Sequence, residues 1–354
     1  MLEFSQASAT DEFDDPRGGP SSLVFPVADR SSVGEARRAA AALALRAGLD
    51  DTERGALAVV VTEATTNLAH HAREGVIVLR PLGAPGAGGV EALALDKGPG
   101  IRDLSRAMAD GFSTGGTAGK GLGAIRRMAS EFDLFSSLSG GTALLARVWS
   151  RGAARSATAA RDSTGVVCVP LANDRACGDG WAITQMTGRT LVVLVDGLGH
   201  GREAAKAADE ALQVVRDIAE PSPVRIIEAA HGVLRATRGA ALAVADVRYA
   251  EGHVHFAGIG NISASVVTST GSQSMASHNG TVGHVLRKVQ EFSYPWAPGA
   301  CLVMHSDGIM TRWHPDQYPG LLSHHPALFA GVLFRDFNRG RDDVTVLAVR
   351  APGE

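Results

Sequence analysis

Two apolar runs in this chain stop abruptly on an aspartate followed by glycine, and an acidic pair opens a third run near the C-terminus. The first is LVVLVDGLGHG, residues 191–201, where Leu191 to Val195 end in Asp196. The second is CLVMHSDGIM, residues 301–310, ending at Asp307, and the third is RDDVTVLAV, residues 341–349. One Asp-Gly at a strand end is an ordinary turn signal, and each of these alone reads that way. The ordered series is harder to explain as turns: Gly178-Asp179, Val195 to Gly201, Ala257 to Asn261, Ser306 to Ile309, then Asp342 to Thr345. Core strands with acidic ends can share a fold if those ends converge on a cation, because clustered carboxylates otherwise raise one another's pKa. Hard oxygen donors suit Mg²⁺ or Mn²⁺ rather than zinc. A glycine after the aspartate lets a backbone carbonyl approach such an ion closely.

The remaining composition is that of a globular protein. The 354 residues suffice for two domains, with 45% hydrophobic and 20% charged residues. Net charge is −3 without a long basic or acidic block, so neither a nucleic-acid nor a membrane surface is expected. Arginines number 30 against four lysines, which reads as genome composition. Cys168, Cys177 and Cys301 show no C-x-x-C spacing, so neither a zinc site nor a disulfide framework is implied, and a reducing cytoplasm fits. No apolar run approaches the roughly 18 residues of a membrane span, and the polar, acidic start is not signal-like.

Polarity divides the chain into a disordered tail at 1–22, a domain at 23–150, a small polar linker at 151–164 and a domain at 165–354. The first domain reads as two helices, strands at 76–81 and 90–95, short helices at 101–110 and 122–131, and a closing hairpin. The second reads as strands at 165–171, 181–187 and 190–195, helices at about 200–219 and 223–237, and strands at 240–248, 253–257, 262–268, 282–290 and 301–306. A helix at 326–337 and a last strand at 344–349 complete it. The expected class is α+β: a sandwich with a mixed, mostly antiparallel sheet and helices on one face, followed by an αββα sandwich.

In TEATTNLAHH, Glu63 and Asn67 stand four residues apart and share one helix face. A polar edge would explain them equally well if they were isolated. They are followed by LALDKGPGI, where Asp96 ends a strand before Gly98 and Gly100, and by GTAGKGLGAIRRM, where Gly119, Gly121 and Gly123 precede a helix. Backbone amides unshielded by side chains at a helix start suit phosphate oxygens. A dinucleotide fingerprint is set aside, since no strand directly precedes these glycines and no acidic residue follows at the required distance.

These three elements, in this order, resemble the GHKL ATPase superfamily, and more narrowly the bacterial anti-sigma serine kinases and switch kinases. The resemblance implies ATP with Mg²⁺. Asn67 would bind the metal and Glu63 would act as general base toward a serine hydroxyl. Asp96 would accept the adenine amino group, with Gly98 and Gly100 shaping the pocket floor and Thr142 supporting it. Gly119, Lys120, Gly121, Leu122 and Gly123 would close over the phosphates. His70 and His71 on the same helix carry no assigned role.

The acidic series resembles the SpoIIE-like branch of the metal-dependent (PPM-type) serine/threonine phosphatases. That likeness implies two Mn²⁺ or Mg²⁺ ions, with Asp196 bridging and Gly197 giving its carbonyl to one. Asp307 and Asp342 would hold the other, and Asp179 would bind through water or a further metal. His200 reads first as a cap for the helix that begins there and second as a proton donor. Together the resemblances imply a bifunctional, cytoplasmic partner-switching regulator acting on STAS-type antagonist or stressosome proteins, with a homodimer as one oligomeric option. The alternative is a phosphatase whose N-terminal domain only binds nucleotide and regulates.

Overall fold

The computed structural model describes residues 19, 21–29, 31–108, 121–138, 140–154, 163–172, 174, 176–218 and 221–351. Most of the expected tail, Gly119 and Lys120, and residues 155–162 of the expected linker lie outside these. The chain forms two compact units. One comprises 22–161 with 327–335, and the other comprises 1–21, 162–326 and 336–354.

The first unit carries strands β1 (Leu23–Val27), β2 (Gly75–Ala84), β3 (Ala87–Asp96), β4 (Glu131–Ser137) and β5 (Gly141–Trp149). They form one sheet in the order β1-β2-β3-β5-β4, with every pairing antiparallel. Helices α1 (Ser31–Arg46), α2 (Asp51–His71), α3 (Leu104–Met108), α4 (Gly121–Met128) and α5 (Arg151–Ala154) accompany it. Helix α2 is fixed at its start by a reciprocal capping box. The Asp50 carboxylate accepts the Glu53 N–H at 2.8 Å, and Glu53 accepts the Asp50 N–H at 2.8 Å. Such a cap stabilises a helix by about 1 kcal/mol. One stripe of α2, with Leu57, Val60, Val61, Ala64 and Leu68, packs with Ile77, Leu79, Ala92, Ala94 and Ala146 on one sheet face.

The other sheet face is also buried, beyond the one-sided helix layer expected. Val78, Leu93, Leu95 and Leu145 are all at most 2% exposed. Gly331 of the segment 327–335 lies against Leu93 and Leu95; a Cβ there would sit 3.0 Å from the Leu95 side chain. On this face four charged side chains stand opposite one another across four strands: Arg80, Glu91, Arg147 and Glu131. Glu91 receives Arg80 Nη2 at 2.9 Å and Arg147 Nη2 at 2.6 Å, and Glu131 receives Arg147 Nη1 at 2.9 Å and the Trp149 indole N–H at 2.6 Å.

The second unit holds β6 (Thr164–Val169), β7 (Asp179–Met186), β8 (Arg189–Gly197), β9 (Ala240–Arg248), β10 (His253–Ile259), β11 (Ser263–Thr268), β12 (Gly271–Ser274), β13 (Phe292–Pro295), β14 (Cys301–His305) and β15 (Val344–Arg350). They form two five-stranded antiparallel sheets, β13-β10-β9-β8-β7 and β12-β11-β14-β15-β6. Apolar side chains between the sheets, including Val192, Leu194, Ala243, Leu302, Met304 and Leu347, make one core. Helices α6 (Arg202–Asp217) and α7 (Pro223–Val233) make a second against β8 and β9. Helix α8 (Pro326–Phe337) forms over the expected residues and is apolar and buried nearly all round. Residues 282–290, expected as a strand, form only isolated bridges at Val282 and Val285. Gly283 takes a φ of 98° there, against Leu234, and turns the chain out of extended geometry. The short strands β1, β12 and β13 were not expected.

Candidate functional site

Pairing of β7 with β8 sets Asp179 directly beside Asp196, at the ends of two core strands. Asp179 is buried and accepts the Ser306 hydroxyl at 2.7 Å, while Ser306 Oγ accepts the Thr345 N–H at 2.9 Å. Thus β7, β14 and β15 are tied through one hydroxyl. Asp307, one residue on, gives its backbone N–H to the Asp196 carboxylate, and its own carboxylate is close enough to Asp342 for the two to repel. The second carboxylate oxygen of Asp307 accepts Asn261 Nδ2 at 2.7 Å. Asp196, Asp307 and Asp342 therefore meet at the converging strand ends.

Asp343 has a different task. Its two oxygens accept the Leu171 N–H at 2.7 Å and the Gly178 N–H at 2.8 Å, so it pins the loop before Asp179. The glycines are required by space: a Cβ at Gly197 would lie 2.2 Å from the Ala204 carbonyl oxygen. His200 does not cap α6. The N-cap is Gly201 at a φ of 74°, without a side-chain cap bond. The His200 ring instead meets Asp174 at 2.6 Å through Nδ1.

Electrostatics follow from the crowding. Burial pushes the Asp196 carboxyl up to about 7, with Asp307, Asp342 and Asp343 adding repulsion. Burial and then Asp196 push Asp179 well above the usual carboxylate range. Burial raises Asp307 as well, followed by Asp342, with Arg339 and Asn261 opposing.

The second candidate site is in the first unit. Glu63 and Asn67 lie half-buried on α2, and among the described residues neither hydrogen-bonds or ion-pairs with another side chain. Gly121, at the start of α4, faces Asn67: a Cβ there would be 3.0 Å from the Asn67 amide oxygen. Leu122 and Gly123 follow on the same helix. The Asp96 carboxylate is oriented by the Gly98 N–H at 2.6 Å and by the Thr142 N–H, and burial raises its pKa. A Cβ at Gly98 would lie 2.7 Å from that carboxylate, and Gly100 needs its φ of 72° to pass the Ser137 carbonyl. Thr142 Oγ1 lies 3.1 Å from Ser136 Oγ, which also accepts the Ile101 N–H at 2.8 Å. The Arg335 guanidinium donates to the Asp96 carbonyl at 2.6 Å. Sequence reasoning did not single out Ser136, Asn261 or Arg335; for Asn261 the signal was present in its motif.

Residues 26–149 match the family described as Histidine kinase-like ATPase domain, and residues 186–352 match Stage II sporulation protein E (SpoIIE). The serine/threonine-protein kinase RsbT of Bacillus subtilis (strain 168) is 33% identical over 116 residues, covering 33% of this chain and 87% of RsbT. The chain joins a histidine kinase-like ATPase domain to a SpoIIE domain. Among solved structures, a chain from the bacterial stressosome, described as a modular system adapted to control secondary messenger signaling, matches with a TM-score of 0.50 at 26% identity. That match covers 53% of this chain and 98% of the other. The phosphatase domain of Bacillus subtilis SpoIIE with a fragment of its regulatory domain matches with a TM-score of 0.47 at 17% identity, covering 77% and 81%.

The aspartates around Asp196 are hard oxygen donors, and a divalent cation would relieve the repulsion among them. Among the described residues no group of three or more histidine, cysteine, aspartate or glutamate side chains is placed to hold a metal ion by itself. No helix among the described residues is long and apolar enough to cross a membrane.

A pH effect follows for the metal-free chain. Folded Asp196 keeps its proton up to about 7, whereas an unfolded carboxylate loses it near 3.8. Between these values the folded state holds more protons, so stability falls as pH rises through that window. Calorimetry of chelator-treated protein should show the melting temperature of the SpoIIE domain dropping from about pH 5 to about pH 7.5. Mn²⁺ should reverse the drop. A melting temperature that climbs over this range would contradict the assignment of Asp196.

Proposed function

We propose that the SpoIIE domain hydrolyses phosphoserine or phosphothreonine on a STAS-type antagonist or stressosome protein and that the ATPase domain phosphorylates a serine of such a protein. The observation that carries the hydrolase reading is the meeting of Asp196, Asp307 and Asp342 at strand ends, with Asn261 and Ser306 holding the surrounding carboxylates. In this reading Asp196, Asp307, Asp342 and the Gly197 carbonyl would hold the ions, and Asp179, paired beside Asp196, would bind through water or a further metal. Bound there, two divalent ions supply an activated water and a clamp for phosphate oxygens. Asn261 and Ser306 keep the carboxylates of Asp307 and Asp179 aimed.

For the kinase reading, the Glu63 carboxylate, without a side-chain partner among the described residues, is the group able to take a proton from an incoming hydroxyl, and Asn67 one turn later lies beside the start of α4. Asp96, aimed by two backbone amides, accepts the adenine amino group. The two domains together support the reading of a cytoplasmic partner switch that joins writer and eraser.

The test uses the full chain carrying Asp196→Asn, so that transferred label is not removed. Labelled ATP and candidate STAS proteins should give labelled protein, and Glu63→Gln should stop transfer without stopping nucleotide binding. Nucleotide binding with no label on any partner would reduce the ATPase domain to a regulatory binding module. Asn67→Ala should weaken Mg-ATP binding by about tenfold or more while phosphatase activity persists. Unchanged nucleotide affinity would remove Asn67 from the site.

A further inference from the structure

Beside the carboxylate cluster the second unit has an open cavity of about 410 Å³ lined by Met310, Thr311, Arg312, Asn338, Arg339 and Arg341. Two short segments build it, one following Asp307 and one preceding Asp342. Backbone bonds fasten them together: Met310 N–H to Phe337 O at 2.9 Å and Arg339 N–H to Gly308 O at 2.9 Å. Ile309 and Asn338 add a bridge. The cavity is therefore held at a fixed place relative to the two carboxylates.

Arg312, Arg339 and Arg341 are all exposed, and among the described residues none forms an ion pair or side-chain hydrogen bond. Arginine stands in for lysine across most of this chain, so an isolated one identifies nothing. Three guanidiniums around one cavity repel one another, and an anion would relieve that, most of all at Arg312 and Arg341. Their planar forks match carboxylate oxygens in a bidentate manner. Arg339 is also close enough to Asp307 to oppose the rise of its pKa.

We propose that this cavity docks acidic side chains flanking the phosphoserine of the protein substrate, and so selects phosphoproteins with aspartate or glutamate near the modified residue. The proposal rests on the phosphatase reading above. The cavity adjoins the Asp307 and Asp342 ends, so a chain delivering its phosphate to the cluster runs past these arginines. A carboxylate on that chain meets positive charge, whereas a lysine there would be repelled.

The experiment compares two phosphoserine peptides of one sequence, differing only in aspartates or asparagines around the phosphoserine, with the full chain and Mn²⁺. The wild-type chain should favour the acidic peptide by about tenfold in kcat/KM at low salt, and the preference should shrink toward unity near 0.5 M salt. Arg312→Ala with Arg341→Ala should bring the ratio close to one, and Arg312→Glu with Arg341→Glu should favour a lysine-flanked peptide instead. Inversion of preference is a gain that misfolding cannot imitate. Free inorganic phosphate as competitor separates the alternatives: if it slows both peptides equally and the ratio holds, the acidic flank is what the cavity recognises. Equal rates for both peptides in the wild-type chain, or a preference that survives both double substitutions, would overturn the docking proposal while leaving the phosphatase reading intact. Hydrolysis of neither peptide would overturn the phosphatase reading and this proposal with it.

Discussion

Asp196→Asn is expected to lower Mn²⁺-dependent hydrolysis of a phosphoserine protein by about a thousandfold or more while leaving Mg-ATP binding unchanged. Asp196 is the carboxylate that Asp179 pairs beside, that receives the Asp307 N–H, and whose pKa the other acids raise. Loss of its charge removes the ligand closest to the others, and several kcal/mol of charge stabilisation at the reacting phosphate goes with it; about 4 kcal/mol corresponds to that factor. The same substitution removes like-charge repulsion, so the metal-free variant should melt higher than the metal-free wild type above about pH 7. Lower stability together with lower activity would mean that the residue serves the fold and not the chemistry. Retained hydrolysis would end the metal assignment.

Glu91→Ala should have the largest effect on stability in the ATPase domain. Glu91 is 1% exposed, and its two oxygens receive Arg80 on one side and Arg147 on the other. Removing it leaves two buried guanidiniums facing each other across β3, a loss of about 3–5 kcal/mol. Urea unfolding should show the midpoint of this domain shifted down by about 2 M with an unchanged slope. Combining Glu91→Leu with Arg80→Met and Arg147→Met should recover much of the loss, because apolar replacement of a buried ion network is close to neutral. A loss below about 1 kcal/mol for Glu91→Ala would show that water reaches the ladder.

That ladder also marks where reading the sequence stops. The apolar stretch at 90–95 reads as a strand, and β3 pairs along Ala87–Asp96. A single glutamate at an alternate position reads as solvent-facing, and nothing local says that a helix from residues 327–335 belongs with this unit. The Asp196 and Asp307 strands were legible for the opposite reason: an apolar run must end somewhere, and a carboxylate at both ends places those ends together. Asp343 was not separable from Asp342 in sequence, because their difference is hydrogen bonding to amides of Leu171 and Gly178, far away along the chain. His200 read as a helix cap because it precedes the helix; Gly201 took that place and left the ring to Asp174. The α2 pair Glu63 and Asn67 needed only helical periodicity, whereas the approach of Gly121 to Asn67 depends on packing of α4 on α2.

The central claim is that distant aspartates form a divalent-cation site. Calorimetric titration of Mn²⁺ into the metal-free full chain near neutral pH addresses it without a substrate. Binding of about two ions is predicted, weakened by Asp307→Asn and by Asp342→Asn separately and abolished when both are combined with Asp196→Asn. Absence of binding in the wild-type chain, or binding that the triple variant retains, would contradict it.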